Sequence, residues 1–480
     1  MSAPQSASPT AVLARYAVEA SLDRVPAPVV QKVKELIVDH LGCALGGSRT
    51  PLARAAAEAA CDGVISGPAM TGMAASRGAT VVGTPIKAAL APAAFANATA
   101  ANALDYDDTG PTGHPGATII PAALALAETR RASGEAFLLG VLVGYEVWAH
   151  IAGAIQPSWD RRTLVYGNGV TQTFGAAAAA ARLLALDVER SLCAMGLAGA
   201  FAPLPHDGKI GWDEARVSWI KDNVAWPAEG GLRAALLAER GFVATREILD
   251  GERGLWIMAG SDRCDFDRMT RGIGEEFDLL RISLKPYPCC RWLHSTVDAL
   301  RRVIAEHRVE PHEIRRVTVR SMAPLVEWFQ IRRPATMVDA EFSVSHAVAM
   351  TLLGRPRRDW WLEANRTDPS VLALMDRVVV ELDPAAQAEY ATHRNSARIP
   401  ASVSVETARG TFDRSRQVCH GGPDDPMTWR EIEEKFRELA EPVIGGRRAA
   451  AVLLMVTELE ALRSLDELTA ALATAQGGSR

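Results

Sequence analysis

Residues 25–47 read VPAPVVQKVKELIVDHLGCALGG, with apolar positions every three or four residues after an opening proline and a stop at Gly46–Gly47. That period puts the apolar side chains on one helical stripe; proline is tolerated in a first turn and glycine ends a last one. GAAAAAARLLALDVER (175–190) predicts a helix whose small side chains let a neighbour come close, and LRAALLAERGF (232–242) predicts one ending at Gly241. Near residue 283 the period drops towards two. IRRVTVRSMAP (314–324), DRVVVELDP (376–384) and ASVSVETARGTF (401–412) alternate β-branched and polar residues as half-buried strands do. AEFSVSHAVAMTLLG (340–354) lies between them as a helix ending in Gly354. The helical period returns with PDDPMTWREIEEKFRELAEPV (423–443) and runs to ELTAALATA. The pattern predicts a mostly α protein: a large helical domain in two chain segments, 1–282 and 423–480, with an α+β lid domain inserted at 283–422. No internal repeat stands out.

Composition narrows the partners. The 480 residues are 48% hydrophobic and 23% charged, with a formal net charge of −5. A soluble globular chain fits; a nucleic-acid partner, which needs a concentrated basic face, does not. AFLLGVLVGYEVWAHIAGAI (136–155) is the most apolar window, but Glu146 and His150 interrupt it. It falls short of the roughly 20 apolar residues that cross a bilayer, so it predicts a buried core helix and no membrane partner. The start, MSAPQSASPT, lacks the basic head and apolar run of a signal peptide. Seven cysteines without regular spacing suit reduced thiols, and the two features together predict a cytoplasmic protein.

Four stretches carry candidate chemistry. In ALDYDDTGPTGHPGATIIPAALALAE (103–128), a helix running to about residue 109 puts Asp105, Asp108 and Thr109 on one face and points Asp107 at solvent. His114, in a Gly/Pro loop, can fold back over that face. A carboxylate and an imidazole at a helix end can tune each other for acid/base work, although a solvated turn has the same composition. LKPYPCCRWLHSTVDAL (284–300) gathers Lys285, Arg291 and His294 at the predicted domain boundary, where the cations suit substrate carboxylates. Cys289 and Cys290 lack a second pair at zinc spacing and are read as buried thiols. WIKDNVAWPAEGGL (219–232) offers Lys221 and Asp222, either a surface ion pair or a functional lysine. His346 sits on the apolar helix of 340–354, as a core histidine or as an acid. There is no G-x-G-x-x-G, P-loop, G-x-S-x-G or H-E-x-x-H, so no motif calls for a cofactor or metal.

Taken in order, DYDDT…HPG…IIPAALALAE, KDNVAW…AALLAERGF, KPYPCC…H…DA, AEFSVSHAVA and PDDPMTWREIEEKF resemble the MmgE/PrpD family, over residues from about 10 to about 470. That family includes 2-methylcitrate dehydratase, cis-aconitate decarboxylase and iminodisuccinate epimerase. The resemblance implies a helical domain with an α+β lid, homodimers, no cofactor and an active site in the cleft between domains. It matches the family's first acidic position to Asp105, its threonine to Thr109, its loop histidine to His114 and its cleft lysines to Lys221 and Lys285. In two places the chain departs. Tyr166 in LVYGNGVTQTFGAAAA takes the slot of a second catalytic histidine, and His346 takes that of a tyrosine in FS-x-x-Y.

The reading that follows is a cofactor-independent lyase that takes a proton next to a carboxylate of a small hydroxy-polycarboxylic acid, a dehydratase of the 2-methylcitrate type. Its substrate is a small di- or tricarboxylate. Lys221, Lys285 and Arg291 clamp carboxylates, with His294 beside them. His114 and Asp105 move the proton, Thr109 and Tyr166 donate hydrogen bonds, and His346 is a second acid. The alternatives are an epimerase or isomerase of a small dicarboxylate, a cis-aconitate-type decarboxylase, and a non-catalytic scaffold whose cations pair internally.

Overall fold

In the computed structural model, residues 8–62, 78–110, 112–165, 167–206, 217–393 and 398–474 are described. The stripe at 25–47 folds as α1 (Ala27–Gly47), which starts behind Pro26 and buries Val29, Val33, Leu36, Ile37 and Leu41. The helices that follow are α2 (Leu90–Asn102), α3 (Pro115–Arg130), α4 (Gly134–Ala154), α5 (Gly169–Leu183), α6 (Val188–Phe201) and α7 (Ala225–Glu239). α5 packs against α4, α6 and α7. Where α4 crosses α5, a Cβ on Gly144 or on Gly175 would lie 2.9 Å from the other's carbonyl oxygen. Only glycine at both positions lets the two backbones meet, which is the close approach that the small residues of 175–190 predict. α4 is long and apolar enough to cross a membrane, yet 89% of its apolar window is inside the protein. It is a core helix, with Tyr145 and Trp148 fully buried.

Strands β1 (Ile314–Ser321), β2 (Val378–Leu382), β3 (Ala401–Thr407) and β4 (Gly410–Arg416) form one sheet in the order β2-β1-β3-β4. β1 and β2 are parallel, from Val317↔Val378 to Ser321↔Leu382, and the other pairs are antiparallel. The run 401–412, which reads as one strand, is a hairpin instead: Thr407 pairs with Gly410, whose φ of 126° suits glycine in the turn. Val317 and Val319 of β1 and Val403 and Val405 of β3 are buried, so every second residue feeds the core, as a pleated strand requires. α8 (His294–His307) lies on β3 and β4, and α9 (Val344–Leu352) packs against α8.

Past the sheet, the chain returns to the helices. α10 (Trp429–Ile444) opens with a capping box between Thr428 and Glu431 and packs along α1; α11 (Gly446–Thr457) follows. Buried apolar residues form two clusters, one among the helices and one around the sheet. Leu104 and Tyr106 belong to the sheet cluster, whereas Ile119 and Ile120 just beyond them belong to the helical one. The acidic stretch therefore runs along the seam between two cores.

Candidate active site

α2 stops at Asn102, seven residues before the end that the spacing predicts. Asp105 has φ 46°, in the left-handed region where a helix cannot continue; Asp is among the few non-glycine residues that enter it readily. The chain then alternates. Leu104 and Tyr106 enter the sheet core, while Asp105 and Asp107, which alternate with them in sequence, are buried as well. Thr109 holds this stretch against the segment carrying Lys285: Thr109 N–H donates to Ser283 O at 2.9 Å and Ser283 N–H to Thr109 O at 3.0 Å. Its hydroxyl donates to Gly113 O at 3.2 Å, so Thr109 frames the loop. On the far side of that segment Leu284 N–H donates to Gly421 O at 2.9 Å. A Cβ on Gly421 would lie 1.9 Å from Leu284 O, so only glycine fits there.

The carboxylates do not sort as a helix would sort them. Asp108 leaves Asp105 and caps α3, accepting from Gly116 N–H at 3.0 Å and from the Tyr145 hydroxyl at 2.7 Å. Burial, reinforced by the charge of Asp107, pushes its carboxyl up to about 7. Asp107, expected at the surface, is 1% exposed and is the partner of His114, with Nδ1 to Oδ2 at 3.1 Å. Gln172 on α5 fixes the histidine's backbone, donating to His114 O at 3.0 Å and accepting from His114 N–H at 3.4 Å.

At the centre, Asp105 Oδ1 lies 2.5 Å from Lys221 Nζ, 3.0 Å from Lys285 Nζ and 4.0 Å from His114 Nε2. Lys285 also donates to Asp105 O at 2.8 Å. Lys221 lies 3.2 Å from Asp222 Oδ2 and 3.7 Å from Glu341 Oε2, and His114 Nε2 lies 3.5 Å from Asp222 Oδ2. Lys221 is 3% exposed, which rules out a surface ion pair. Cys290 N–H donates to Glu341 O at 2.9 Å, tying the Glu341 segment to the cysteine turn.

Burial and charge compete at every group. For Asp105, burial raises the carboxyl's pKa, but Lys221 and Lys285 outweigh it and hold it well below the ordinary range. For Lys221 and Lys285, burial favours the neutral amine, yet Asp105 keeps both protonated to higher pH than usual. For His114, burial disfavours the imidazolium, but Asp222 and Asp107 reverse the balance and raise it. Glu341 goes the other way: burial lifts it far above a normal glutamate despite Lys221, and among the described residues neither carboxyl oxygen has a hydrogen-bond partner. Around Asp105, whose carboxyl is held low, the cluster thus gathers two lysines, a histidine and a glutamic acid that all hold their protons to higher pH than usual.

Of the residues that the sequence singles out, Asp105, His114, Lys221 and Lys285 come together here. Arg291 turns its guanidinium to backbone, donating to His420 O at 2.6 Å and Cys419 O at 3.3 Å, and its Nη1 lies 3.2 Å from His294 Nδ1. His294 donates from Nε2 to Cys289 O at 3.1 Å; burial, then Arg291 and Lys285, keep it neutral well below the usual histidine value. Those two residues brace the turn beside Lys285. His346 donates from Nε2 to Trp360 O at 3.1 Å, and burial pushes it down to about 4. No hydrogen bond or ion pair joins it to the cluster among the described residues. Tyr166 lies outside the described residues. Cys289 and Cys290 are free thiols, and burial pushes Cys290 up to about 12.

Sequence reasoning missed Asp107 and Glu341. Glu341 left a signal, a lone acid in the apolar run AEFSVSHAVA, where a charge needs a partner. Asp105, Asp107 and His114 could also hold a metal by composition, their ligand atoms lying within 4.8 Å of one another. In this arrangement the two ammoniums supply the cation that Asp105 faces.

The chain matches the MmgE/PrpD N-terminal domain over residues 11–266 and the MmgE/PrpD C-terminal domain over residues 287–461. It is 26% identical to the cis-aconitate decarboxylase-like protein oryM of Aspergillus oryzae, over 96% of each chain. It is 26% identical to human cis-aconitate decarboxylase, over 92% of this chain and 89% of that one. With the cis-aconitate decarboxylase of Aspergillus terreus it shares 24% identity, over 96% and 94%.

Proposed function

This chain belongs to the MmgE/PrpD family, and we propose that it is a lyase that decarboxylates a small unsaturated polycarboxylate, cis-aconitate or a near analogue, with side chains alone. The observation that carries the reading is the convergence of Lys221, Lys285 and His114 on a single carboxylate oxygen of Asp105. Groups that hold one buried carboxylate this way can hold a substrate's, and they stabilise the negative charge that develops on carbon when CO₂ departs.

Decarboxylation breaks a carbon–carboxylate bond, leaves its electron pair on the carbon skeleton and consumes one proton. The site is loaded for that direction. His114 and Glu341 both hold a proton to higher pH than such groups ordinarily do, which suits them to deliver one. Dehydration, the outcome expected from the sequence, has to remove a proton from carbon first and needs a free base. Among the cluster's carboxylates Asp105 is paired with two lysines, Asp107 with His114, and Asp222 with Lys221 and His114. The relatives named above, all cis-aconitate decarboxylases or like them, support decarboxylation over dehydration.

Proton NMR in D₂O tests the proposal, with cis-aconitate, citrate, 2-methylcitrate and iminodisuccinate offered separately. The expected result is consumption of cis-aconitate with CO₂ release and one solvent deuteron in the product. Loss of water from citrate or 2-methylcitrate would make it a dehydratase, and deuterium wash-in without a change of skeleton an epimerase; either overturns the reading.

A further inference from the structure

A second buried ion pair lies behind the candidate site. Lys435, on α10, places Nζ 2.6 Å from Asp39 Oδ1 on α1, and both side chains are 1% exposed. The ammonium has two more acceptors, and both are backbone. It donates to Tyr106 O at 2.6 Å and to Lys285 O at 2.9 Å. It also sits 4.0 Å from the centre of the Tyr106 ring, and the Tyr106 hydroxyl donates to Pro286 O at 3.0 Å.

The two carbonyls matter because of what flanks them. Tyr106 stands between Asp105 and Asp107, and Lys285 is the lysine that contacts Asp105 twice. All three donor positions of one ammonium are thereby used: one on Asp39, one on the acidic loop, one on the lysine segment. A hydrophobic pair could fill the same volume, and buried ion pairs add little net stability over such a replacement. What a hydrophobic pair cannot do is bond two carbonyls from separate segments at once.

We propose that Lys435, anchored by Asp39, is a positioning residue for the candidate active site: its ammonium ties the backbone at Tyr106 to the backbone at Lys285 and so sets the spacing between the acidic loop and its lysine. Among the described residues no hydrogen bond or ion pair joins the Lys435 ammonium to a side chain of the cluster. Lys435 acts through the loop, on Asp105 and on the Asp107–His114 pair. The inference rests on the cluster being the active site, and its test includes a readout taken without any substrate.

The variant to make is the double replacement Asp39→Leu with Lys435→Met, which removes both charges and keeps the volume. The expected result is a folded protein with a lower melting temperature, because the carbonyls of Tyr106 and Lys285 lose their donor, together with kcat per folded molecule lower by about tenfold to a hundredfold and KM within about threefold. Histidine ring NMR of the substrate-free protein is the second readout. In the wild type the His114 ring titrates above its ordinary value; in the double variant, with Asp107 released, its midpoint falls back towards that value. If the double variant does not fold, Asp39→Glu keeps both charges but pushes the ammonium off the carbonyls, and the same two changes are expected. A folded variant with wild-type kcat and an unmoved His114 titration would overturn the proposal, as would a lower melting temperature with unchanged turnover per folded molecule. If no tricarboxylate turns over in the wild type, the function reading fails while the His114 titration still decides this one.

Discussion

Lys221 Nζ and Asp105 Oδ1 lie 2.5 Å apart, with the lysine 3% and the aspartate 2% exposed. Deleting one partner of such a pair strands the other. Lys221→Met is expected to lower stability by about 3–5 kcal/mol and kcat/KM by about a hundredfold or more. Adding Asp105→Asn should restore most of the stability and none of the activity. Thermal unfolding and steady-state kinetics on the four proteins of that cycle separate the two effects.

His114 sets the pH response. Asp222 and Asp107 outweigh burial, so the folded ring keeps its proton to higher pH than the unfolded one. Its contribution to stability is complete below the unfolded value of about 6.5 and is lost as pH rises through the folded value. If the imidazolium is the acid, kcat falls over that same upper range. His114→Asn should remove this limb and lower kcat by about a hundredfold to ten-thousandfold; a pH–rate profile that keeps the limb would assign it to another group.

Asp107→Asn is the complementary change. The ring keeps Asp222 at 3.5 Å but loses its charged partner at 3.1 Å. The descending limb should move to lower pH, and the His114 ring resonances should titrate with it. An unmoved limb would mean that Asp107 only shapes the loop.

Glu341→Gln preserves size while removing the transferable proton. Because burial favours the protonated acid, the melting temperature should hardly change. Turnover should fall by about a hundredfold. Equal turnover in the two proteins would leave His114 as the sole proton donor.

His346→Phe is the contrasting case. It leaves Trp360 O without its donor, a loss of about 1–3 kcal/mol, and kcat should stay within about threefold of the wild type. A large loss of kcat at unchanged stability would return His346 to the catalytic set.

Local periodicity was a good guide to the scaffold and a poor one to the loop. The stripe at 25–47 and the strand at 314–321 fold as their patterns predict, because burial of one face decides them; the run 175–190 is not one helix but ends α5 at Leu183 and opens α6 at Val188, with Ala185 left-handed at φ 50° between them. Residues 105–109 do not. An i, i+3, i+4 spacing assumes a continuing helix, and the left-handed Asp105 breaks that assumption. Beyond it the chain follows a two-residue alternation, which buries Asp107 and sends Asp108 to Tyr145. Asp105, His114, Lys221 and Lys285 were legible through the family's motifs. The bonds that unite them were not: 116 residues separate Lys221 from Asp105, and 180 separate Lys285 from it. A lone acid such as Glu341 shows in sequence only as an oddity whose partner lies elsewhere.

The same distance along the chain bears on how the protein is made. Asp39 and Lys435 are 396 residues apart. A ribosome that has released the first 300 residues has already delivered Asp105, His114, Lys221 and Lys285, but not α10. At about 5–20 residues per second, the unfinished chain waits several seconds or more for its last tie. Until α10 docks along α1, the nascent protein carries its reactive groups without the brace that spaces them, so the clock of translation also times the completion of the site.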